Sequence, residues 1–303
     1  MLPLDKIRSL PERFPLSCQW EITCRCNLRC TMCYTDCLNR PEFVRQELTT
    51  AEILRILDEM ADAGTLELCL TGGEPLSRPD FFLIYEQAVR RGFLVTVFTN
   101  GTLITDTEAD QFAALPPHRI EISLHGSTAQ TFERVTQHRG SYHRCIRAIR
   151  LLLDRRLPLA LKTTALTLNR HEILSIKEYA ASLGTVPFKL GEELRPELDG
   201  GAGPYQYALS EGELMELNRS DPLLWDEACR RSQADLLLCA SGMQRFHIDA
   251  YGNLQLCSGN RRQGYDLRNG SFREGFFEVL PAFTCEHKKL ERSALLQPMT
   301  HRG

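Results

Sequence analysis

Between residues 18 and 190 the chain alternates short β-favouring runs with amphipathic helical segments, and this alternation limits its fold more than any other feature. Cys18–Thr23 reads as the first strand. A capping box at Thr49 and Glu52 opens a helix whose apolar face is Ile53, Leu54, Ile56, Leu57 and Met60. Further strands are expected at 66–71, 94–99, 119–124, 159–166 and 187–190. Helices are expected at 80–91, at 105–115 behind a Thr105/Glu108 capping box, at 141–155 and at 170–183. Units of about thirty residues with this alternation mean right-handed βαβ crossovers and a parallel sheet. Some six units are too few to close an eight-unit barrel. The expected fold is therefore α/β, a partial (β/α)6 TIM-like barrel, with a doubly wound sheet as the alternative.

Polar signatures follow the strands. Cys26, Cys30 and Cys33 stand in C-x3-C-x2-C spacing after the first strand, inside a stretch, 24–47, with neither helical nor alternating pattern. So long an irregular loop in a compact domain is usually functional. Thr71-Gly72-Gly73-Glu74-Pro75 follows the second strand, Thr99-Asn100-Gly101 the third, and Ser123-Leu124-His125-Gly126 ends the fourth. All four fall at carboxyl ends of successive parallel strands, the rim where such folds place their sites. Three thiolates on one short loop suit one metal centre and leave a position open for chemistry. From the cysteines alone, an iron–sulfur cluster and zinc remain alternatives.

The chain's 303 residues carry a formal net charge of −3, which offers no basic field for nucleic acid or an anionic membrane. No apolar run approaches the ~20 residues of a membrane span, and the first residues lack the pattern of a signal peptide. Twelve cysteines then suit a reducing compartment, the cytoplasm, as ligands or buried small residues rather than disulfides. Cys69 and Cys145 read as buried apolar residues; Cys18, Cys24 and Cys37 flank the cysteine loop. Gly- and Pro-rich residues 195–209 read as a linker or active-site loop, and Ser210 and Glu213 cap another helix. Residues 246–257 read as a β-hairpin around Gly252-Asn253. The division expected is an N-terminal segment at 1–16, the barrel at 17–195, a linker with helices at 196–235, and a small C-terminal domain at 236–303 holding Cys239, Cys257 and Cys285.

In order and spacing, the cysteine loop with its aromatic Tyr34, the Gly-Gly-Glu-Pro turn and the Ser-Leu-x-Gly strand end resemble the radical S-adenosylmethionine (AdoMet) enzymes over residues 17–195. The resemblance implies that Cys26, Cys30 and Cys33 hold three irons of a [4Fe-4S] cluster. AdoMet would chelate the fourth iron, and its reductive cleavage would give a 5′-deoxyadenosyl radical that abstracts a substrate hydrogen. It implies Gly73 and Glu74 at the methionine amino group, Gly72 and Gly73 allowing close backbone approach, Met32 at the adenine, and Ser123 on the AdoMet side of the pocket. Asn100-Gly101 reads as a structural turn near the pocket, with Asn100 contacting AdoMet as the alternative. Residues 239–285 resemble the SPASM and twitch extensions of peptide-modifying members. Cys239, Cys257 and Cys285 would hold a second, auxiliary iron–sulfur cluster, whereas the full seven-cysteine pattern is absent.

Glu193, after the sixth strand, is the candidate proton acceptor, set against a solvated charge run with Glu192 and Arg195; His125 is a candidate substrate contact. Peptide modification is the function expected, with a small-molecule oxidoreductase as the alternative and a non-catalytic metal module third. Only 25 residues precede Cys26, so a fused peptide-recognition domain is not expected there. The partners implied are a peptide substrate, a separate recognition protein and a flavodoxin- or ferredoxin-type electron donor.

Overall fold

The computed structural model describes residues 13–235 and 241–285. Six parallel strands, β1 (Ser17–Glu21), β2 (Glu67–Thr71), β3 (Leu94–Thr99), β4 (Arg119–Ser123), β5 (Leu159–Thr164) and β6 (Phe188–Gly191), lie side by side in chain order. Each step is a βα crossover. The helices that return the chain are α1 (Thr50–Asp62), α2 (Phe81–Arg90), α3 (Asp106–Ala114), α4 (Ala129–Thr136), α5 (Ser141–Asp154) and α6 (Ile173–Ser182). The capping boxes at Thr49/Glu52 and Thr105/Glu108 are both formed, each satisfying two otherwise orphaned amides. Ile53, Ile56, Leu57 and Met60 bury one face of α1 against the sheet, and Leu68, Leu70, Val95, Val97, Ile120 and Ile122 supply the facing strand side chains.

The sheet does not end at β1. After α7 (Glu211–Arg219) and α8 (Pro222–Asp235), strand β7 (Arg245–Ile248) pairs parallel to β1 on the side away from β2. It turns antiparallel into β8 (Asn253–Gln255) and then β9 (Tyr265–Asp266), which gives the order β6-β5-β4-β3-β2-β1-β7-β8-β9. The hairpin is therefore an extension of the barrel sheet, and β1 is an interior strand. The loop that leaves its carboxyl end emerges between the barrel rim and the C-terminal region. β6 and β9 are the two ends of this open sheet.

Three local readings change. Helix α4 is absent from the sequence expectation. Thr128 caps it, and Glu172 accepts hydrogen bonds from the Ser127 and Thr128 amides and from the hydroxyls of Ser127, Thr128 and Thr131. That anchor is 41 or more residues distant in sequence, which is why local pattern misses it. The stretch 24–47 contains a 3-10 turn at Asp36–Leu38 and a helical turn at Pro41–Val44. The expected helix at 170–183 starts as a 3-10 turn, Arg170–Glu172. Among the described residues no helix is long and apolar enough to cross a membrane.

Candidate active site

At the β1–β2 end, pairing continues past the strands. Ile22 N donates to Thr71 O at 2.9 Å, Gly73 N to Thr23 O at 2.9 Å and Glu74 N to Arg25 O at 2.7 Å. A Cβ on Gly72, whose φ is +143°, would stand 2.1 Å from Thr23 O, and one on Gly73 would stand 2.3 Å from Arg25 O. Both positions exclude any side chain. The expectation attributed this need to a bound methionine group; the crowding atoms belong to the base of the cysteine loop. Both glycines also line the cavity described below.

Glu47 fastens the loop's far end to its start. Its Oε1 accepts from Thr23 Oγ1, Cys24 N and Cys24 Sγ at 2.7, 2.8 and 3.1 Å. Asn39 brackets Cys26, accepting from its amide at 3.1 Å and donating to its carbonyl at 2.9 Å. Cys33 N donates to Cys30 O at 3.0 Å, which closes the turn between those two ligand candidates. From the other side, carbonyls in the last turn of α4 accept from Arg29 N and Thr31 N at 3.2 and 2.9 Å. Helix ends leave carbonyls unpaired, and here the loop uses them. Asn100 adds a brace, donating to Asn27 Oδ1 at 3.0 Å while its own Oδ1 accepts from Thr102.

These supports place Cys26, Cys30, Met32, Cys33, Gly72, Gly73, Asn100, Ser123 and Glu193 around one cavity of about 360 Å³ at the carboxyl rim. Burial pushes the Cys26 thiol up to about 12, and Cys30 and Cys33 also upward. Mutual repulsion raises Cys30 further. Such thiols ionise only when a cationic centre takes them. Of the flanking cysteines, Cys18 is buried in β1, Cys24 is engaged by Glu47, and Cys37 approaches Tyr34 O at 3.8 Å.

Glu74 departs from its expected place. It does not line the cavity and is fully buried. Its carboxylate accepts from Thr99 Oγ1, Asn100 N and Leu76 N at 2.8, 2.7 and 3.2 Å, so it ties the β2 turn to the end of β3. Burial pushes its carboxyl up to about 7, against the pull of those donors. Glu193 stands at the mouth with its side chain 74% exposed and 3.9 Å from Arg195. That is the solvated alternative rather than a desolvated base.

The opposite wall comes from β4, β5, α4 and the segment after β6. His125 and Lys162 lie here, with Phe132, Thr136 and Thr164. Burial, with Lys162 nearby, pushes His125 down to about 4, so the ring is neutral at pH 7. Lys162 Nζ sits 3.2 Å from the centroid of the Phe98 ring, and burial lowers it to about 8. Sequence reasoning missed Lys162; its one signal is a lone charge inside the apolar and Thr-rich strand 159–164.

Tyr34 carries the loop toward the C-terminal region. Its hydroxyl donates to Glu21 at 2.9 Å, Arg261 pairs with the same carboxylate, and the Arg261 guanidinium lies 5.3 Å from the Tyr34 ring centroid. Burial opposes ionisation of Glu21, yet Arg261, His247 and Tyr34 hold its carboxyl below its ordinary range. Tyr34, Glu193, Leu194 and Arg195 belong also to a second cleft of about 730 Å³, which runs between 193–205 and 258–263. The linker docks there: Leu198 N donates to Tyr34 O at 2.9 Å and Arg195 to Ser258 at 2.7 Å. Cys257 and Cys285 lie apart from the cavity on adjoining segments joined by Asn260 Nδ2 donating to Thr284 O at 2.9 Å. Cys239 lies outside the described residues.

The sequence of residues 20–180 matches the radical SAM superfamily. The chain belongs to that superfamily. An AdoMet-dependent heme synthase of Methanosarcina barkeri is 34% identical over 169 residues, which is 56% of this chain and 48% of that protein. A PqqA peptide cyclase of Granulibacter bethesdensis is 30% identical over 172 residues, 56% of this chain and 45% of that one. The chain thus spans about half the length of these relatives. Streptococcus suis SuiB, solved with its precursor peptide SuiA, shares the fold with a TM-score of 0.71 at 16% identity, covering 93% of this chain and 70% of SuiB.

The superfamily works with a [4Fe-4S] cluster and AdoMet, and the donor set fits such a cluster. All three thiols line one cavity, with uncharged Met32, Gly72 and Gly73 beside them.

Proposed function

We propose that this chain is a radical SAM enzyme that modifies a peptide. Cys26, Cys30 and Cys33 would hold the cluster, and Gly72, Gly73, Met32, Asn100 and Ser123 would bound the AdoMet space. The bound pair supplies reductive cleavage of AdoMet and, with it, hydrogen abstraction from the substrate. The protein's part is positional. Glu47 and α4 fix the cysteine loop, Glu74 fixes the β2–β3 turns against it, and the linker over the mouth limits water.

The observation that carries the peptide reading is the cleft that shares Tyr34, Glu193, Leu194 and Arg195 with the cavity lining. A small molecule needs only the enclosed part; an extended chain needs a lateral path, and the cleft past Tyr34, Arg195, Tyr205 and Asn260 offers one. The likeness to a peptide cyclase and to SuiB with its precursor peptide supports it. The 34% identity to a heme synthase favours a small-molecule substrate as the second reading. We further propose an auxiliary cluster on Cys257 and Cys285, with Cys239 as a third ligand, a flavodoxin- or ferredoxin-type donor, and a separate protein that tightens peptide binding. Anaerobic incubation of reconstituted protein with AdoMet, a reductant and precursor peptides encoded nearby tests the substrate by mass spectrometry. A mass change on one such peptide is expected. Substrate-dependent 5′-deoxyadenosine with a free metabolite and no peptide change would select the second reading.

A further inference from the structure

The charges that line or underlie the cavity pair off with one exception. Glu21 is held by Arg261 and Glu121 by Lys189, and Glu193 is solvated at the mouth, 3.9 Å from Arg195. Glu74 is buried outside the cavity lining and held by Thr99 and two amides. Lys162 has no hydrogen-bond or ion-pair partner among the described residues. Its ammonium rests on the face of Phe98 and opens onto the cavity. Strand register explains the position: Lys162 pairs with Ser123 on β4 and Lys189 on β6, so the two ammonium groups share one side of the sheet. Lys189 pairs directly with Glu121. A half-buried ammonium with no direct anionic partner is costly to the fold, and Glu121 and Glu74 attract it only from beyond ion-pair distance.

We propose that Lys162 is the anchor for a substrate carboxylate inside the reaction cavity. An ammonium with three donors and one aromatic face accepts a carboxylate at its open side, and exclusion of water strengthens the pair. The inference rests on the peptide reading and deepens it: the modified segment carries an acidic side chain or a free terminal carboxylate next to the reacting carbon. AdoMet also carries a carboxylate. Ser123, beside Lys162 in the register of β4 and β5, belongs to the expected AdoMet space, so the test must separate the two carboxylates. His125, neutral and 3.4 Å from Thr163 Oγ1 through Nδ1, flanks the position without adding charge.

The test uses reconstituted full-length protein with AdoMet and two blocked tripeptides, Ac-Ala-Glu-Ala-NH2 and Ac-Ala-Gln-Ala-NH2, with binding followed by ligand-detected NMR. Wild type is expected to bind the Glu peptide about 10-fold more tightly than the Gln peptide. Lys162→Met should erase the difference, and Lys162→Arg should retain a preference for Glu. Lys162→Gln, with a melting curve for each variant, separates loss of binding from loss of fold. Equal or absent binding of the two peptides to wild type would overturn the proposal. So would a Lys162→Met protein that loses affinity for AdoMet while keeping its Glu preference, since the carboxylate would then be AdoMet's own. Failure of wild type to cleave AdoMet would count against the enzymatic reading and leave the binding comparison intact.

Discussion

On the side of β1, β2 and β3, the cavity is bounded by backbone and by side chains already committed to each other. Thr23, Arg25, Gly72 and Gly73 are in contact through main-chain atoms, Glu47 and Glu74 each accept three hydrogen bonds, and Asn100 is held by Asn27 and Thr102. On the side of β4, β5 and β6 the wall carries His125, Lys162 and, at the mouth, Glu193 and Arg195. The first wall is preorganised and chemically quiet apart from three thiols. The second leaves one cation unmatched. A wall that serves the same cofactor in every turnover gains from rigid geometry. A wall that receives a variable partner must leave something unsatisfied until that partner arrives.

Loss of a thiol should produce the largest effect. Cys30→Ala should reduce AdoMet cleavage to background, read as 5′-deoxyadenosine, because the two remaining thiolates do not hold a site-differentiated cluster. The C-terminal region offers the parallel test. Reconstituted wild type should carry about eight irons per chain, and Cys257→Ala with Cys285→Ala about four. An unchanged count would mean that the second site holds none.

Gly73→Ala probes the quiet wall directly. A Cβ 2.3 Å from Arg25 O forces the loop base apart, and we expect roughly 3 kcal/mol or more of lost stability by chemical denaturation. A variant as stable as wild type would contradict the backbone-contact explanation. Lys162→Met probes the other wall with the opposite sign. Lys162 titrates near 8 in the folded chain against an ordinary 10.5, so between those values the unfolded chain binds more protons and wild-type stability rises with pH. Below that window the fold carries the cost of the desolvated charge. The methionine variant, without ligands, should be about 1–3 kcal/mol more stable at pH 7, and the gap should narrow as pH approaches 10.5. Equal stability at pH 7 would mean that the ammonium is well solvated. Thr105→Ala, at a cap remote from both walls, should cost about 1 kcal/mol and leave AdoMet cleavage unaltered.

The same division explains what could be read from the sequence. The quiet wall is built from local chemistry: three cysteines in fixed spacing, two adjacent glycines, capping boxes and alternating strands, each legible within a few residues. The six parallel strands were placed to within a residue or two at most ends for that reason. The features missed all depend on partners distant in the chain. Helix α4 needs Glu172, the seat of β7 beside β1 spans more than two hundred residues, and Glu74 turns out to brace β3 instead of lining the cavity. Lys162 is one lysine among ordinary strand residues until the register of β4, β5 and β6 shows that Glu121 is already taken.

Anaerobic reconstitution of the wild-type chain with iron and sulfide, followed by AdoMet and dithionite, tests the central claim most directly. The account predicts 5′-deoxyadenosine and methionine in equal amounts, from protein that retains about four irons or more per chain. A protein that instead binds one zinc per chain at these cysteines, and releases no 5′-deoxyadenosine, would contradict it.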